Sequence, residues 1–279
     1  QLVNSVEWRS PSNIALIKYW GKNGNQIPMN ASLSMTLRYS FTQTELRWEP
    51  KRDSIPISFD FYLSKQKVGE AFEKRIAKLI GFMIKDFPKI ADYHLTINSL
   101  NTFPHSAGIA SSASGMSALA LSLLSMAAII HHQSYGYDEF LQLASHYARL
   151  GSGSACRSVY GPYAIWGKND ELQSVDAFAK PFDVHSDFKK MYNSIVVFND
   201  KPKSTGSSEG HNLMGSHFYR HGRIEQAADN LNKMIHALKT ADFDIWQQVV
   251  ENEALSLHGL MFSSAKPVVL LNPESLAFL

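Results

Sequence analysis

Apolar and polar residues alternate through residues 57–63, where Ile57, Phe59, Phe61 and Leu63 share one side, and again through 93–100, where Tyr93, Leu95 and Ile97 do. A two-residue period places successive side chains on opposite faces of a strand, so both stretches are expected as half-buried strands. Residues 33–49, rich in Thr, Tyr, Phe and Trp, predict one or two more. The period then changes. Phe72, Ile76, Leu79, Ile80 and Met83 recur at helical spacing, and Pro88 halts that helix. Met116, Leu119, Ala120, Leu123, Leu124 and Ala127 form a stronger apolar stripe, a third helix is expected over 137–150, and "SVYGPYAIWG" reads as strand.

Near residue 183 the pattern restarts. The run "SIVVF" (194–198) predicts a strand, followed by a Ser/Gly-rich loop. One helix is then expected on Ile224, Ala227, Leu231, Met234, Ile235 and Leu238, and another on Phe243, Trp246, Val249, Val250, Ala254 and Leu257. "KPVVLLN" (266–272) predicts a last strand. This order gives an α+β protein of two lobes, 1–183 and 184–279, with no solenoid repeat or low-complexity tract.

Composition narrows the function classes. With 279 residues, 44% of them hydrophobic, the chain can bury a core and is not disordered. A formal net charge of +2 is too slight for a nucleic-acid footprint, so any anion is bound locally. The single Cys156 excludes an internal disulfide framework or a cysteine zinc cage, which fits a reducing, cytoplasmic compartment. The longest apolar run, 116–130, is interrupted by Ser117, Ser122 and Ser125 and is expected to be too short to span a bilayer; no signal peptide is visible.

Four segments suit small anions. "NTFPHSAGIASSASGMSALALSLL" (101–124) packs Gly108, Ser111, Ser112, Ser114 and Gly115 into a turn before the best helix. Small residues let backbone approach a ligand there, and the positive helix end favours phosphate. The plainer alternative is that Ser112 or Ser114 only caps the helix. The stretch is neither a Walker A loop nor a GxGxxG fingerprint. "ARLGSGSACRSVYGPY" (148–163) sets Ser152, Ser154 and Arg157 within six positions, where a guanidinium could grip a carboxylate or phosphate, or simply be solvated beside a buried Cys156. Nothing demands a nucleophilic Cys156. "SPSNIALIKYWGKNGNQIPMNASLSMTL" (10–37) brings Lys18, Tyr19, Trp20 and Lys22 to a Gly/Asn-rich turn, and "KPKSTGSSEGHNLM" (201–214) carries Ser204, Thr205, Ser207 and Ser208. His217 and His221 have zinc-helix spacing but no HExxH context, so a solvated helix face is expected. His131 and His132 mark a helix end, where an imidazolium is mildly favourable.

"FPHSAGIASSASG" resembles the second motif of the GHMP small-molecule kinases, with Pro104, Gly108, Ser111 and Ser112 as its core. "NIALIKYWGK" and "GSGSACRS" together resemble the mevalonate diphosphate decarboxylase family, its bacterial members most, and the likeness extends through "STGSSEGHNLM" and "NEALSLHGLM". The resemblance implies a two-lobed GHMP kinase fold, with an N-terminal lobe like domain 2 of ribosomal protein S5 and a ferredoxin-like C-terminal lobe. It implies that ATP with Mg²⁺ phosphorylates the 3-hydroxyl of mevalonate 5-diphosphate, after which phosphate and CO₂ leave to give isopentenyl diphosphate and ADP. It also implies a possible homodimer, with no nucleic-acid or membrane partner.

By the same resemblance, Tyr19 and Lys22 hold the diphosphate, with Ser152, Ser154 and Ser207 on the substrate side. Asn13 and Arg157 serve the carboxylate and reacting carbon, and Lys18 serves the 3-oxygen. Pro104, Gly108, Ser111, Ser112 and Ser114 hold the nucleotide, Trp20 packs the turn, and the metal ligands stay unassigned. The family's general-base aspartate sits in an Asp-Ala-Gly-Pro-Asn segment that these residues do not contain, and Asp183, Asp200, Asp242 and Asp244 lie in other contexts. A chain trimmed at its ends, with a truncated second lobe, is therefore expected. The alternatives are a related GHMP kinase, a monophosphate decarboxylase, or a non-catalytic homologue lacking the base.

Overall fold

The computed structural model of the chain describes residues 4–67, 69–104, 109–198 and 207–279, the side chains of 207–209 excepted. Two compact units emerge among these residues, one of 4–13, 36–104 and 109–161, the other built on 14–35, 162–198 and 207–279.

In the first unit the two-residue periods become strands. β1 (Ser5–Ile17) pairs with β4 (Ser32–Pro50), and β2 (Lys22–Asn23) and β3 (Ile27–Pro28) form a separate small ladder in the second unit. β5 (Ser58–Leu63) is followed by β6 (Gln66–Lys67), α1 (Glu70–Asp86) and β7 (Tyr93–Asn101). β5 runs parallel to β7 with Phe61 opposite Ile97, and β7 runs antiparallel to β4 with Leu46 opposite Ile97. A parallel pair needs a crossover, which α1 supplies. Its Ile76, Leu79, Ile80 and Met83 are buried, each contributing about 1.5–3 kcal/mol relative to exposure. The helix stops at Asp86 because Phe87 precedes Pro88 and is pushed off the helical region.

Residues 33–49 fall in a single 19-residue strand. β1 escaped the hydrophobic pattern altogether: Pro11 argues against a central strand, and its buried positions include Ser10, Ser12 and Asn13.

α2 (Ser111–His131) corrects one expectation. At 21 residues with a mean hydropathy of 1.9 it is long and apolar enough to cross a membrane, yet 78% of that window is buried within the protein. Two of the serines find partners that leave the helix intact: Ser122 donates to the Ala118 carbonyl one turn back (2.9 Å), and Ser125 accepts from the Trp8 indole (2.8 Å). It packs with α3 (Tyr137–Gly151) over the sheet as the centre of the apolar core. Its end falls at His131 as expected, but burial and the nearby Lys89 lower the His131 pKa, favouring the neutral ring over the anticipated imidazolium.

In the second unit the first residues of β4 pair with β8 (Tyr163–Trp166), Leu33 opposite Ile165, and β8 pairs with β9 (Lys180–Pro181). The strand expected from "SVYGPYAIWG" is thus confined to its end, since 153–159 form a 3₁₀ turn. Four helices follow: α4 (Ser207–Gly215), α5 (Arg220–Thr240), α6 (Phe243–Phe262) and α7 (Pro273–Phe278). Ala241 in the left-handed region turns the chain between α5 and α6, and the Asp242 carboxylate caps α6 by accepting from the Ile245 N–H (3.0 Å).

Two predicted strands do not form. Residues 194–198 and 266–272 have no ladder among the described residues, and Val196 and Val269 stand exposed. Alternation supplies a face; a strand also needs a partner for its N–H and C=O groups. His217 is corrected too. It lies in the turn between α4 and α5, buried, with Nε2 2.9 Å from the Leu260 carbonyl and Nδ1 accepting from the Tyr219 N–H (3.1 Å).

Candidate active site

Where α3 ends, Ser152 adopts an extended conformation and the chain winds into the 153–159 turn. β1 holds this turn through Asn13, whose amide donates to Ser158 Oγ (2.7 Å) and to the Ser154 carbonyl (3.2 Å). Asn13 Oδ1 accepts from Arg157 Nη2 at 3.4 Å, while Ser10 Oγ donates to the Ser158 carbonyl at 2.8 Å. Arg157 is only 1% exposed, so its charge acts in a poorly screened setting. Arg149, which sequence reasoning passed over, is buried in the same unit and adds positive potential felt at Cys156. Burial nevertheless pushes the Cys156 thiol up to about 12, against the pull of Arg157 and Arg149. A neutral, shielded thiol is no nucleophile.

At the start of α2, Ala110 takes a left-handed conformation and no side chain caps the helix, so the capping alternative for Ser112 and Ser114 fails. Ser12 Oγ donates to the Ile109 carbonyl and ties this entry to β1. Ser111 and Ser112 are half-buried in the first turn, beside N–H groups that favour an anion by about 0.3–1 kcal/mol. Ser114 is fully buried, 2.7 Å from Thr42 Oγ1, and fastens the helix to β4. Pro104 is exposed, and Gly108 lies outside the described residues, as does the Ser207 side chain.

The segment from Lys18 to Lys22 belongs to the second unit, and its Lys18 peptide is held at both ends. The Lys18 N–H donates to Glu253 Oε2 (2.7 Å), and its carbonyl accepts from Asn30 Nδ2 (3.1 Å) and Arg223 Nη2 (3.3 Å). Lys18 Nζ donates to the Ala15 carbonyl at 2.9 Å. The Tyr19 ring packs edge-on against Trp166 and at a tilt against His211, with centroids 4.7 and 4.2 Å away. Trp20 is buried against Met214 and Met261 and donates to the Gly210 carbonyl (2.8 Å), the packing role expected of it. Gly21 has φ +92°, and a Cβ there would lie 2.5 Å from Met214 Cγ, so only glycine fits the turn that presents Lys22. Its N–H donates to His211 Nδ1 at 3.1 Å.

Arg223 of α5 and Glu253 of α6 form a two-pronged ion pair, at 2.6 and 2.7 Å, with both side chains fully buried. Neither was singled out from sequence. The available signal was positional: Glu253 shares a helix face with Val249, Val250 and Leu257, and Arg223 shares one with Ala227 and Leu231. The aspartates have other work. Asp242 caps α6, Asp183 is held below its usual range by Lys189 (2.8 Å), Asp244 opens α6, and Asp200 lies outside the described residues. Among the described residues no three His, Cys, Asp or Glu side chains gather as metal ligands.

The family model described as the diphosphomevalonate decarboxylase-like N-terminal domain matches residues 10–179, and that for the mevalonate 5-diphosphate decarboxylase C-terminal domain matches 194–279. The chain belongs to the diphosphomevalonate decarboxylase family. Family relatives match nearly all of it. A diphosphomevalonate decarboxylase of Ganoderma lucidum is 29% identical, covering 97% of this chain and 68% of its own. The crystal structure of mevalonate diphosphate decarboxylase from Staphylococcus aureus is 30% identical, with a TM-score of 0.81 over 98% of this chain and 79% of that one. MDDEF in complex with MVAPP, AMPPCP and magnesium is 27% identical, with a TM-score of 0.79 over 99% and 80%. The architecture is therefore the GHMP kinase fold of these decarboxylases.

Proposed function

We propose that this protein uses ATP to decarboxylate mevalonate 5-diphosphate to isopentenyl diphosphate, releasing ADP, phosphate and CO₂. The observation that carries the reading is the buried Arg157 guanidinium, tied to Asn13 in a turn of small residues. Once the 3-hydroxyl is phosphorylated, the C–O bond breaks toward phosphate and the electrons of the departing carboxylate's C–C bond form the new double bond. A fixed cation in a low-dielectric setting stabilises charge that grows on the departing group. Arg157 and Asn13 take that role. Lys18 offsets charge at the 3-oxygen during phosphoryl transfer. Tyr19 and Lys22 hold the diphosphate with Ser152 and Ser154, and Ser207 is assigned to the same side. Ser111 and Ser112, with Gly108 and Pro104, receive the nucleotide phosphates at the α2 N-terminus. Mg²⁺ carried on those phosphates would neutralise their charge, and the hydroxyls at this helix end suit its preference for oxygen.

The full-length protein incubated with ATP and mevalonate diphosphate should release ADP, phosphate and CO₂ in equal amounts. ADP without CO₂ would replace this reading with that of a GHMP kinase. No ADP with either the diphosphate or the monophosphate substrate would make the protein a non-catalytic homologue. The division at residue 183 is taken as the functional lobe boundary, supported by the gap between the two family-model matches. A buried, unbridged Cys156 supports a cytoplasmic setting, and a homodimer completes the proposal.

A further inference from the structure

We propose that the buried Arg223–Glu253 pair is a positioning device for Lys18, acting on the lysine's main chain; the inference rests on the reading of Lys18 as the group that serves the 3-oxygen. Glu253 Oε2 takes the Lys18 N–H at 2.7 Å while Arg223 Nη2 reaches its carbonyl at 3.3 Å. Both ends of one residue are thereby fixed by the same ion pair. The φ and ψ angles of that residue decide where its ammonium can go, and a displacement of about 1 Å at a reacting group can cost about 100-fold in rate.

Stability alone gives a poor account of this pair. A buried ion pair is commonly no better than apolar side chains of the same volume, because desolvation offsets the attraction. This one is also incompletely satisfied: Arg223 Nε is buried with no hydrogen-bond partner among the described residues. The remaining bonds orient the pair itself. Asn230 Nδ2 donates to Glu253 Oε1 (2.7 Å), and Arg223 Nη1 donates to Gln226 Oε1 (3.2 Å). Asn30, from the small-residue stretch before β4, adds a second donor to the Lys18 carbonyl at 3.1 Å. Three polar side chains, Glu253 of α6, Arg223 of α5 and Asn30 of one loop, thus converge on the Lys18 peptide, with Asn230 and Gln226 bonded to the pair behind them. Glu253 and Arg223 touch no proposed substrate group, so they are positioning residues.

A kinetic double-mutant cycle in the full-length protein tests this, reading CO₂ release from mevalonate diphosphate for Lys18→Met, Glu253→Gln and the two together. Lys18→Met should lower kcat about 100-fold or more. Glu253→Gln should lower it about 10-fold with KM changed less than about 3-fold, because the main-chain hold is loosened without touching the substrate grips. The double variant should be no slower than Lys18→Met alone, since a misplaced methionine has nothing further to lose. If Glu253→Gln costs the same factor in both backgrounds, its effect does not pass through Lys18 and the positioning inference is overturned, while the reading of Lys18 stands. If Lys18→Met keeps wild-type kcat, the reading of Lys18 fails and the inference with it. Should Glu253→Gln not fold, the paired replacement Arg223→Met with Glu253→Leu removes both charges together, and the same cycle is judged by the same outcomes.

Discussion

The two cationic residues assigned to the chemistry are anchored in opposite ways. Arg157 is held by its side chain: the guanidinium is buried in a tight turn and bonded to Asn13. Lys18 is held by its main chain, with Glu253 on its N–H and Asn30 and Arg223 on its carbonyl. A residue fixed through its side chain couples function to folding, because changing it leaves buried partners unsatisfied. A residue fixed through its backbone separates them, since the clamp survives a change of side chain.

This contrast can be broken by unfolding measurements. Arg157→Met should cost the most, about 3 kcal/mol, because Asn13 Oδ1 loses a donor in a buried setting. A midpoint shift in urea at constant m-value would report it. Next comes Cys156, in the same turn, whose thiol reports how dry that turn is. Below the ordinary thiol value of 9.0 the thiol is neutral whether folded or unfolded; above it the unfolded chain loses the proton first, because burial raises the folded value to about 12. Stability present below pH 9 is therefore lost as pH rises toward 12. Between pH 8 and 10 the wild type should lose roughly 1 kcal/mol more than Cys156→Ala. Equal losses would mean that the turn admits solvent. The smallest effect belongs to Lys18→Met, about 1 kcal/mol, because the main-chain bonds that fix residue 18 survive the change of side chain. A loss matching that of Arg157→Met would erase the distinction drawn here.

What could be read in advance followed from periodicity. The stripes of α1, α2, α5 and α6 and the alternation of β5 and β7 repeat often enough to announce themselves. β1 could not, because a strand carrying Pro11 and burying Ser10, Ser12 and Asn13 inverts the usual signal. The runs at 194–198 and 266–272 show the converse, a pattern without a ladder partner among the described residues. In the site, motif likeness singled out Arg157, Asn13 and Lys18, while the packing of Ser114 against Thr42 left no mark in the sequence. Glu253 and Arg223 were invisible for a different reason. A charged residue is expected at the surface, and only coordinates reveal that each one's counter-ion sits thirty positions away in sequence.

The bond from the Lys18 N–H to Glu253 spans 235 positions. A ribosome adding roughly 5–20 residues per second makes Lys18 on the order of ten to fifty seconds before the carboxylate that fixes it. Throughout that interval the 153–159 turn can already mature around Asn13, because both lie in the earlier-made unit. A nascent chain can therefore assemble one cationic grip long before the lysine is locked in place, so competence for phosphoryl transfer arrives late in synthesis, when α6 docks.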